Sequence, residues 1–351
     1  MTKTIEIIVY GAYGQIGQAV INELVNKGVA PLLAGRDEKK LIALASRTNL
    51  PYLCFNLINN RTIEKHLQST ELFLNCAGSL VDNPEPAVRA AIAQNCHYLD
   101  VGGQFSTLSN LQALKPLASQ NHSVICAGIG AECIPGECLA GSIKHNLTSL
   151  ASLEVAYDID HKFSSGSIKS TIQRLTRGNI EIHNGHPNAA PYTIGARQVL
   201  FRNRKKRVSQ VPTGDLIAIN SSTGCPNVKS YFATSKQFIP LLQLLNWLPG
   251  IFRTQPLFKA IDRLFLNSTY KASSQSHFWA RGTSENGRTM TARVSTPDIY
   301  RFTVDAAVHI ALYLLKHERS GGVYTPAQLM TWKLIENLPN CGKITFGDMN
   351  E

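Results

Sequence analysis

The sequence predicts an α/β protein of two domains: an N-terminal parallel sheet with helices on both faces, then an α+β domain containing a mostly antiparallel sheet. Three observations carry this expectation. Through residues 1–145, short apolar runs alternate with amphipathic stretches, the rhythm of βαβ units. A glycine-rich turn separates the first run from the first amphipathic stretch. After Pro135 the rhythm breaks, and two later runs are joined by a tight-turn signal instead of a helix. A chain of 351 residues accommodates two such domains. We place them at residues 1–132 and 133–296, with 297–351 as a C-terminal helix and tail returning to the first domain.

The first domain builds in order. Ile5–Tyr10, apolar but for Glu6, reads as a buried parallel strand. Residues 15–26 set Ile16, Ala19, Val20, Leu24 and Val25 along one helical stripe, and Gly28 ends that helix. Residues 30–34 give a second strand and residues 38–47 a second helix, with Asp37 as its N-cap. Short strands follow at 53–55, 72–75, 98–101 and 124–127, and helices at 85–94 and 108–120 separate the last three.

The second domain is less regular. Residues 151–159 read as a strand, and residues 164–167, serine-rich, open a helix running to Leu175. Residues 181–201 read as turn-rich and irregular. Residues 276–282 and 289–295 form two strands joined through Glu285-Asn286-Gly287. Residues 298–317 form a long helix whose apolar face carries Phe302, Ala306, Val308, Ile310, Leu312 and Leu315. Residues 238–266 stand apart: large apolar side chains, mostly basic charges, and Pro240, Pro249 and Pro256 to cut the segment into short helices. The segment suits a domain-packing helix pair or a surface touching lipid or an acyl chain.

The turn Gly11-Ala12-Tyr13-Gly14-Gln15-Ile16-Gly17 lies between a strand and an amphipathic helix, which is the context a dinucleotide-binding, Rossmann-type parallel sheet requires. The first glycine permits the sharp turn, the second lets backbone approach a pyrophosphate, and the third lets the helix pack on the strand. The phosphates then meet free N–H groups at the positive end of the helix. An NAD-specific domain carries an acidic residue at the end of the second strand. Here Arg36 stands there instead, with Lys39 nearby, and a guanidinium can clamp a 2′-phosphate with paired hydrogen bonds. The expected cofactor is NADP(H). Asn56 and the Asn75-Cys76-Ala77-Gly78 segment fall at carboxyl ends of strands, the edge where open α/β sheets bind ligands. We therefore add Asn56, Cys76, Ala77, Gly78 and Gly128 to the cofactor set.

Composition narrows the partners. The formal net charge of +11 favours an anionic cofactor, substrate, carrier or surface. Its sharpest cluster, residues 202–207, reads as a solvated loop or an anion contact, and no aromatic interleaving points to nucleic acid. Cys54, Cys76, Cys96 and Cys126 sit in or beside apolar segments and read as buried free thiols. Cys133 and Cys138 match no common zinc spacing, so no metal site and no disulfide is expected. No run of about twenty apolar residues is free of charge, and residues 1–4 lead straight into a strand. The expectation is a cytoplasmic protein, peripheral to a membrane if residues 238–266 meet lipid; a homodimer stays open.

The glycine turn, Leu33-Ala34-Gly35-Arg36, Asn75-Cys76-Ala77-Gly78, His97-Tyr98-Leu99-Asp100-Val101-Gly102-Gly103 and the stretch from Ala127-Gly128-Ile129-Gly130 through Ile134-Pro135-Gly136-Glu137 together resemble the saccharopine dehydrogenase-like NADP-binding family. Trp247-Leu248-Pro249-Gly250, Gly287-Arg288, Gly321-Gly322 and Thr325-Pro326 extend a looser likeness through the second half. The resemblance is greatest to the short branch that includes trans-acting enoyl reductases of lipid and polyketide assembly. It implies an NADP-dependent oxidoreductase whose long C-terminal helix returns to the first domain.

Hydride transfer belongs to the cofactor, so the protein must bind, orient and polarise. Candidate substrate contacts are Glu132, Pro135 and Gly136, where a helix start can receive a carbonyl or carboxylate, and Ser165, Gly166 and Ser167 at another helix start. Tyr157, Asp158, His161, His183 and His186 have suitable proton-donor chemistry, but no spacing singles one out, and the catalytic residue stays unassigned. The leading expectation is an NADPH-dependent reductase of an activated C=C bond in a lipid-like or carrier-bound acyl substrate. The alternatives are a saccharopine-dehydrogenase-like imine (C=N) reductase of an amino acid adduct and a non-catalytic NADP(H)-binding sensor or assembly partner.

Overall fold

The structure, a computed structural model, describes residues 5–77, 83–159, 178–192, 197–234 and 275–347. Gly78, the serine-rich 164–167 segment with Ser165, Gly166 and Ser167, and residues 238–266 lie outside the described residues. In chain order the first elements are β1 (Ile5–Tyr10), α1 (Gln15–Asn26), β2 (Leu32–Gly35), α2 (Glu38–Thr48), β3 (Tyr52–Cys54), α3 (Asn60–Leu67), β4 (Thr70–Asn75), α4 (Glu85–Ala93), β5 (His97–Asp100), α5 (Phe105–Leu111), α6 (Lys115–Gln120) and β6 (Val124–Ala127). Then follow α7 (Ile134–Asn146), β7 (Leu150–Ile159), β8 (Asn179–His183), β9 (His186–Ala190), β10 (Arg197–Phe201), β11 (Arg204–Gln210), α8 (Asp215–Thr223), β12 (Val228–Ala233), β13 (Ser276–Ser284) and β14 (Thr289–Thr296). The chain closes with α9 (Ile299–Lys316), β15 (Gly322–Tyr324), α10 (Pro326–Met330), α11 (Leu334–Asn337) and β16 (Thr345–Gly347). It divides into two compact units, residues 1–132 with 300–330, and residues 133–299 with 331–351.

The first unit is a seven-stranded parallel sheet in the order β15-β6-β5-β4-β1-β2-β3. Ile7, Ile8 and Val9 of β1, and Leu72, Phe73 and Leu74 of β4, have no exposed surface. Burial of consecutive residues on both faces is what helices on both sides of a parallel sheet impose. In α1, Val20, Ile21 and Leu24 are fully buried, each contributing about 1.5–3 kcal/mol of burial. The helix stops where Gly28 takes φ +80°, and Val29 N–H turns back to the Leu24 carbonyl. Asp37 caps α2 by accepting from Lys40 N–H.

Three expectations for this unit need correction. Helix α3 is missing from the sequence reading because it buries only Ile63 and Leu67; Asn59, which accepts from Thr62 N–H, is its start signal. Cys54 is exposed, not buried, because it sits on β3 at the sheet edge. The segment read as one helix at 108–120 is α5, a 3₁₀ turn at Gln112–Leu114, and α6.

The second unit is a nine-stranded sheet ordered β10-β11-β12-β7-β13-β14-β16, with β8 on β12 and β9 on β8. All pairs are antiparallel except β12 with β7. Ala156, Val199, Phe201, Val208, Tyr231 and Trp279 form a core cluster in this unit. Helix α7 packs on β13, β14, β7 and α8. The β13–β14 turn forms as expected, with Gly287 at φ +82° and Ser284 N–H bonded to the Arg288 carbonyl.

Residues 181–201 are not irregular: they contain β8, β9 and β10. The β8–β9 turn is Asn184 (φ +50°) and Gly185 (φ +79°), an Asn-Gly hairpin signal that should have been decisive. The basic run at 202–207 is likewise not a loop. It is a turn at Arg202 (φ +46°) leading into β11, whose Val208, paired with Arg197 of β10, joins the core cluster. The C-terminal segment is split, because α9 and β15 belong to the first unit while β16 pairs with β14 in the second.

Candidate functional site

The glycine turn after β1 is held by its own backbone. Gly11 N–H and Ala12 N–H both donate to the Ala34 carbonyl, at 2.9 and 3.1 Å, and Gly14 N–H returns to the Gly11 carbonyl at 2.9 Å. Each glycine has a distinct reason. Gly11 sits at φ +78°, and a Cβ there would come 2.8 Å from Ala77 N. A Cβ on Gly17 would strike the Gly11 carbonyl oxygen, so the third glycine lets α1 start flush against the turn. At Gly14 a Cβ would lie 3.1 Å from the same oxygen.

Helix α1 therefore begins at a bare end. Its N-cap, Gly14, offers no side-chain acceptor, and its first turn carries no acidic residue. Gln15 is exposed and Ile16 half-buried. The first-turn amides and the helix dipole fit a pyrophosphate.

At the end of β2 the ring of Tyr13 lies over Gly35, where a Cβ would be 2.6 Å from Tyr13 Cε1. Lys40 Nζ stands 5.4 Å from the centre of the same ring. Arg36 is exposed beside them. The end of β2 thus presents an aromatic face flanked by two cations, a donor set that fits a phosphorylated ribose. The Tyr10 hydroxyl donates to the Phe55 carbonyl at 3.1 Å. Burial pushes it up to about 12, with Tyr13 adding and Arg36 opposing. Asn56 follows Phe55 on the surface, where its side-chain oxygen accepts from Ile58 N–H and shapes the turn.

The carboxyl ends of β4, β5 and β6 complete this edge. Cys76 N–H donates to the Tyr10 carbonyl at 2.8 Å, and burial drives the Cys76 thiol far above its ordinary value. Ala77 N–H is held by the side chain of Asn75 at 3.0 Å. Gly128, at φ +77°, donates to the Gly102 carbonyl at 2.9 Å. Ala131 N–H reaches Thr303 of α9 at 3.2 Å. Glu132 is half-buried at the end of this unit.

Sequence reasoning did not identify Asn75, Tyr98 and Asp100 as a functional group of residues, although all three lie in segments it quoted. They form one buried network. Tyr98 OH and Asn75 Nδ2 donate to Asp100 Oδ2 at 2.7 and 2.8 Å. The only local signal is a carboxylate and an amide on two otherwise apolar strand ends.

In the second unit, Pro135 lies in the first turn of α7 and Gly136 beside it is buried. Here Gly136 makes room for polar atoms: a Cβ would land on the Tyr157 hydroxyl and on the Asp215 carboxylate. The Thr213 hydroxyl donates to the other oxygen of Asp215. Glu137 and Asp215 have no exposed surface. The Tyr157 hydroxyl, in a residue 1 % exposed, has no hydrogen-bond partner among the described residues, while its ring stacks on Phe232 at 5.0 Å. Of the four candidate proton donors among the described residues, Tyr157 is the one placed in such a cluster, and Asp158 pairs with Lys206 at 2.7 Å; His161 lies outside the described residues.

Residues 7–125 match the family model described as the saccharopine dehydrogenase NADP binding domain. A probable mitochondrial saccharopine dehydrogenase-like oxidoreductase of Arabidopsis thaliana is 28 % identical over 149 residues, 38 % of this chain and 33 % of that protein. A Caenorhabditis elegans protein named lipid droplet localized protein is 23 % identical over 185 residues, 49 % of this chain and 40 % of that one. The matched stretches thus cover 33 % and 40 % of these curated relatives' lengths. Among solved structures, saccharopine dehydrogenase (L-Glu forming) from Saccharomyces cerevisiae superposes with a TM-score of 0.67 at 12 % identity, over 98 % of this chain and all of that one. That likeness shows a common fold.

Proposed function

We infer that this chain, whose residues 7–125 form a saccharopine dehydrogenase-type NADP-binding domain, is an NADP(H)-dependent oxidoreductase. The observation that carries the reading is the bare start of α1 behind Gly11, Gly14 and Gly17, with Arg36, Lys40 and the Tyr13 ring at the end of β2. The α1 amides would hold the pyrophosphate, and Arg36 the 2′-phosphate. When bound, the cofactor supplies or accepts a hydride. The chain's own residues bind and orient it.

The proposed substrate is an activated C=C bond in a lipid-like or carrier-bound acyl compound. The net charge of +11, the likeness to enoyl reductases and the name of the C. elegans relative support this choice. It includes a peripheral lipid contact through residues 238–266, a cytoplasmic setting and a homodimer as proposals. No helix of the described residues is long and apolar enough to cross a membrane. One feature of the second unit favours the imine-reductase reading instead. Two buried acids, Glu137 and Asp215, stand at the first turn of α7, and carboxylates suit the amine of an amino acid better than an acyl thioester.

The test is a paired titration with NADPH and NADH on the wild type and on Arg36→Ala. The expected result is NADPH preferred by at least about tenfold, or 1.4 kcal/mol, and the preference lost in the variant. Equal affinities in the wild type would remove Arg36 from its role, and no binding of either would remove the cofactor. NADPH consumption is then followed with 2-enoyl thioesters and, separately, with an amino acid plus an oxo acid. Turnover of only the second pair selects the imine reading. Tight binding without turnover of either leaves a non-catalytic NADP(H)-binding protein.

A further inference from the structure

The carboxyl ends of β4, β5 and β6 are tied around one acid. Asp100, the last residue of β5, is 3 % exposed. Its Oδ2 accepts from Tyr98 OH at 2.7 Å and from Asn75 Nδ2 at 2.8 Å, and its Oδ1 accepts from Gly102 N–H at 2.7 Å. The polarity is forced. A carboxylate can only accept, so Asn75 must turn its NH2 toward Asp100 and its carbonyl oxygen away. That oxygen accepts from Ala77 N–H at 3.0 Å. Ala77 N is the atom nearest the position a Cβ on Gly11 would take. On the other side, the Gly102 carbonyl accepts from Gly128 N–H at 2.9 Å and the Asp100 carbonyl from Ile129 N–H at 3.1 Å.

We propose that Asp100 is a positioning residue for the cofactor: acting through Asn75, its accept-only carboxylate holds the turn at residues 76–77 against Gly11 and so sets the glycine turn for the dinucleotide, which makes cofactor affinity depend on the charge of this one buried acid. The inference rests on the NADP(H) reading above.

The pH at which this acts follows from its surroundings. Burial, opposed by the bonds from Tyr98, Gly102 and Asn75, pushes the Asp100 carboxyl up to about 6. Two other titratable groups face it. Tyr98 is held well above its ordinary value by burial and by the Asp100 charge, and Cys76 is raised for the same two reasons. Neither changes charge below neutrality. His97 precedes Tyr98 by one residue and so lies on the opposite face of β5, where its Nδ1 accepts from Val124 N–H. Below about pH 6 the protonated carboxyl becomes a donor on one oxygen. That oxygen no longer accepts from both of its partners, and the hold on Asn75 slackens.

The experiment measures the Kd for NADP⁺ by calorimetry between pH 5 and 8 for the wild type, Asp100→Asn and Tyr98→Phe. The 2′-phosphate itself titrates near pH 6, so the quantity read is the ratio of variant to wild-type Kd at each pH, in which the ligand's own titration cancels. For Asp100→Asn the new NH2 must face either Gly102 N–H or the Tyr98 and Asn75 donors. The expected ratio is at least fivefold at pH 8, falling to within twofold at pH 5. A ratio that is flat across pH, or equal to one throughout, overturns the proposal. A melting curve for each variant checks that it is folded. Should Asp100→Asn fail to fold, Tyr98→Phe decides. It removes a donor that favours the ionised acid, together with the oxygen to which Asn75 Nδ2 also donates at 3.1 Å, and leaves the Asn75–Asp100 bond, so the midpoint of the pH dependence moves up. A midpoint that stays put refutes the role of Asp100. Wild-type protein that binds no NADP⁺ removes the cofactor reading itself, an outcome distinct from wild-type binding with an unmoved ratio.

Discussion

Gly11 and Gly28 make a controlled pair for testing whether the glycine turn is built around a close contact. Their φ angles are +78° and +80°. Alanine at either position therefore meets the same left-handed backbone strain, about 1–2 kcal/mol, reduced by about 0.4–1 kcal/mol through the stiffer unfolded chain. Their surroundings differ. Nothing lies within 4 Å of a Cβ on Gly28, whereas one on Gly11 meets Ala77 N at 2.8 Å and its Cα at 3.0 Å. Ala77 is backbone held by Asn75, so it cannot swing aside, and overpacking of this sort costs about 1–3 kcal/mol more. Gly28→Ala should lower stability by about 1 kcal/mol and leave the NADPH Kd unchanged, because it lies at the far end of α1. Gly11→Ala should lose roughly 2–4 kcal/mol in all and weaken NADPH binding at least tenfold. Thermal melts by circular dichroism give the first quantity and fluorescence titration with NADPH the second. Equal melting shifts and equal affinities for the two variants would refute the close-contact account of the turn.

In the second unit, Gly136→Ala drives a methyl into the Tyr157 hydroxyl and the Asp215 carboxylate, and should destabilise by about 1–3 kcal/mol. Tyr157→Phe removes a buried hydroxyl without a partner among the described residues, so it should be neutral or stabilising by up to about 1 kcal/mol. The double variant, measured by urea unfolding, should recover part of the Gly136→Ala loss, and strict additivity would show that the hydroxyl is not what the methyl meets. If that hydroxyl contacts substrate, Tyr157→Phe lowers turnover while NADPH binding holds; unchanged turnover excludes the contact. Burial, with the charge of Lys27, lowers the pKa of His309 on α9. A depressed folded-state value means stability present above the unfolded value near 6.5 and lost as pH falls through the lower folded one. His309→Gln should therefore flatten the acid side of the stability curve measured from pH 7 to 5; an unchanged slope assigns the acid sensitivity elsewhere.

What was legible in the sequence was local. The glycine turn, α1, the Asp37 cap and the β13–β14 hairpin each announce themselves within a dozen residues, through period, capping chemistry or an Asn-Gly pair. Where the reading failed, the deciding partner was remote or the pattern diluted. Strand β9 runs His-Pro-Asn-Ala-Ala, mostly exposed, with none of the β-branched or aromatic residues that mark a strand. It is a strand because β8 offers it a pairing edge. The basic residues of β11 looked like a loop because charge dominates the string. The strand's last three residues, Val208, Ser209 and Gln210, are buried, and the charged half before them is a strand because it pairs with β10.

The polar groups show the same division more sharply. Arg36 could be proposed from sequence as a 2′-phosphate contact because that proposal depends on one strand end and one spacing. Asp100 could not, because its meaning comes from three separate chain segments: Asn75 on β4, Gly102 after β5, and Gly128 after β6, which reaches it through the Gly102 carbonyl. Gly136, Tyr157 and Asp215 span an even wider interval and become a group only when α7, β7 and α8 pack together. A buried acid in an apolar strand is itself the clue. Its desolvation cost is several kcal/mol unless donors meet it, so Tyr-Leu-Asp ending a buried strand already demands partners. Asp100 has three, two of which lie within two residues of it, and the third, Asn75, stands at the matching end of the neighbouring strand. In a parallel sheet, polar residues at corresponding strand ends are neighbours by register, which makes such networks predictable once the strand order is known.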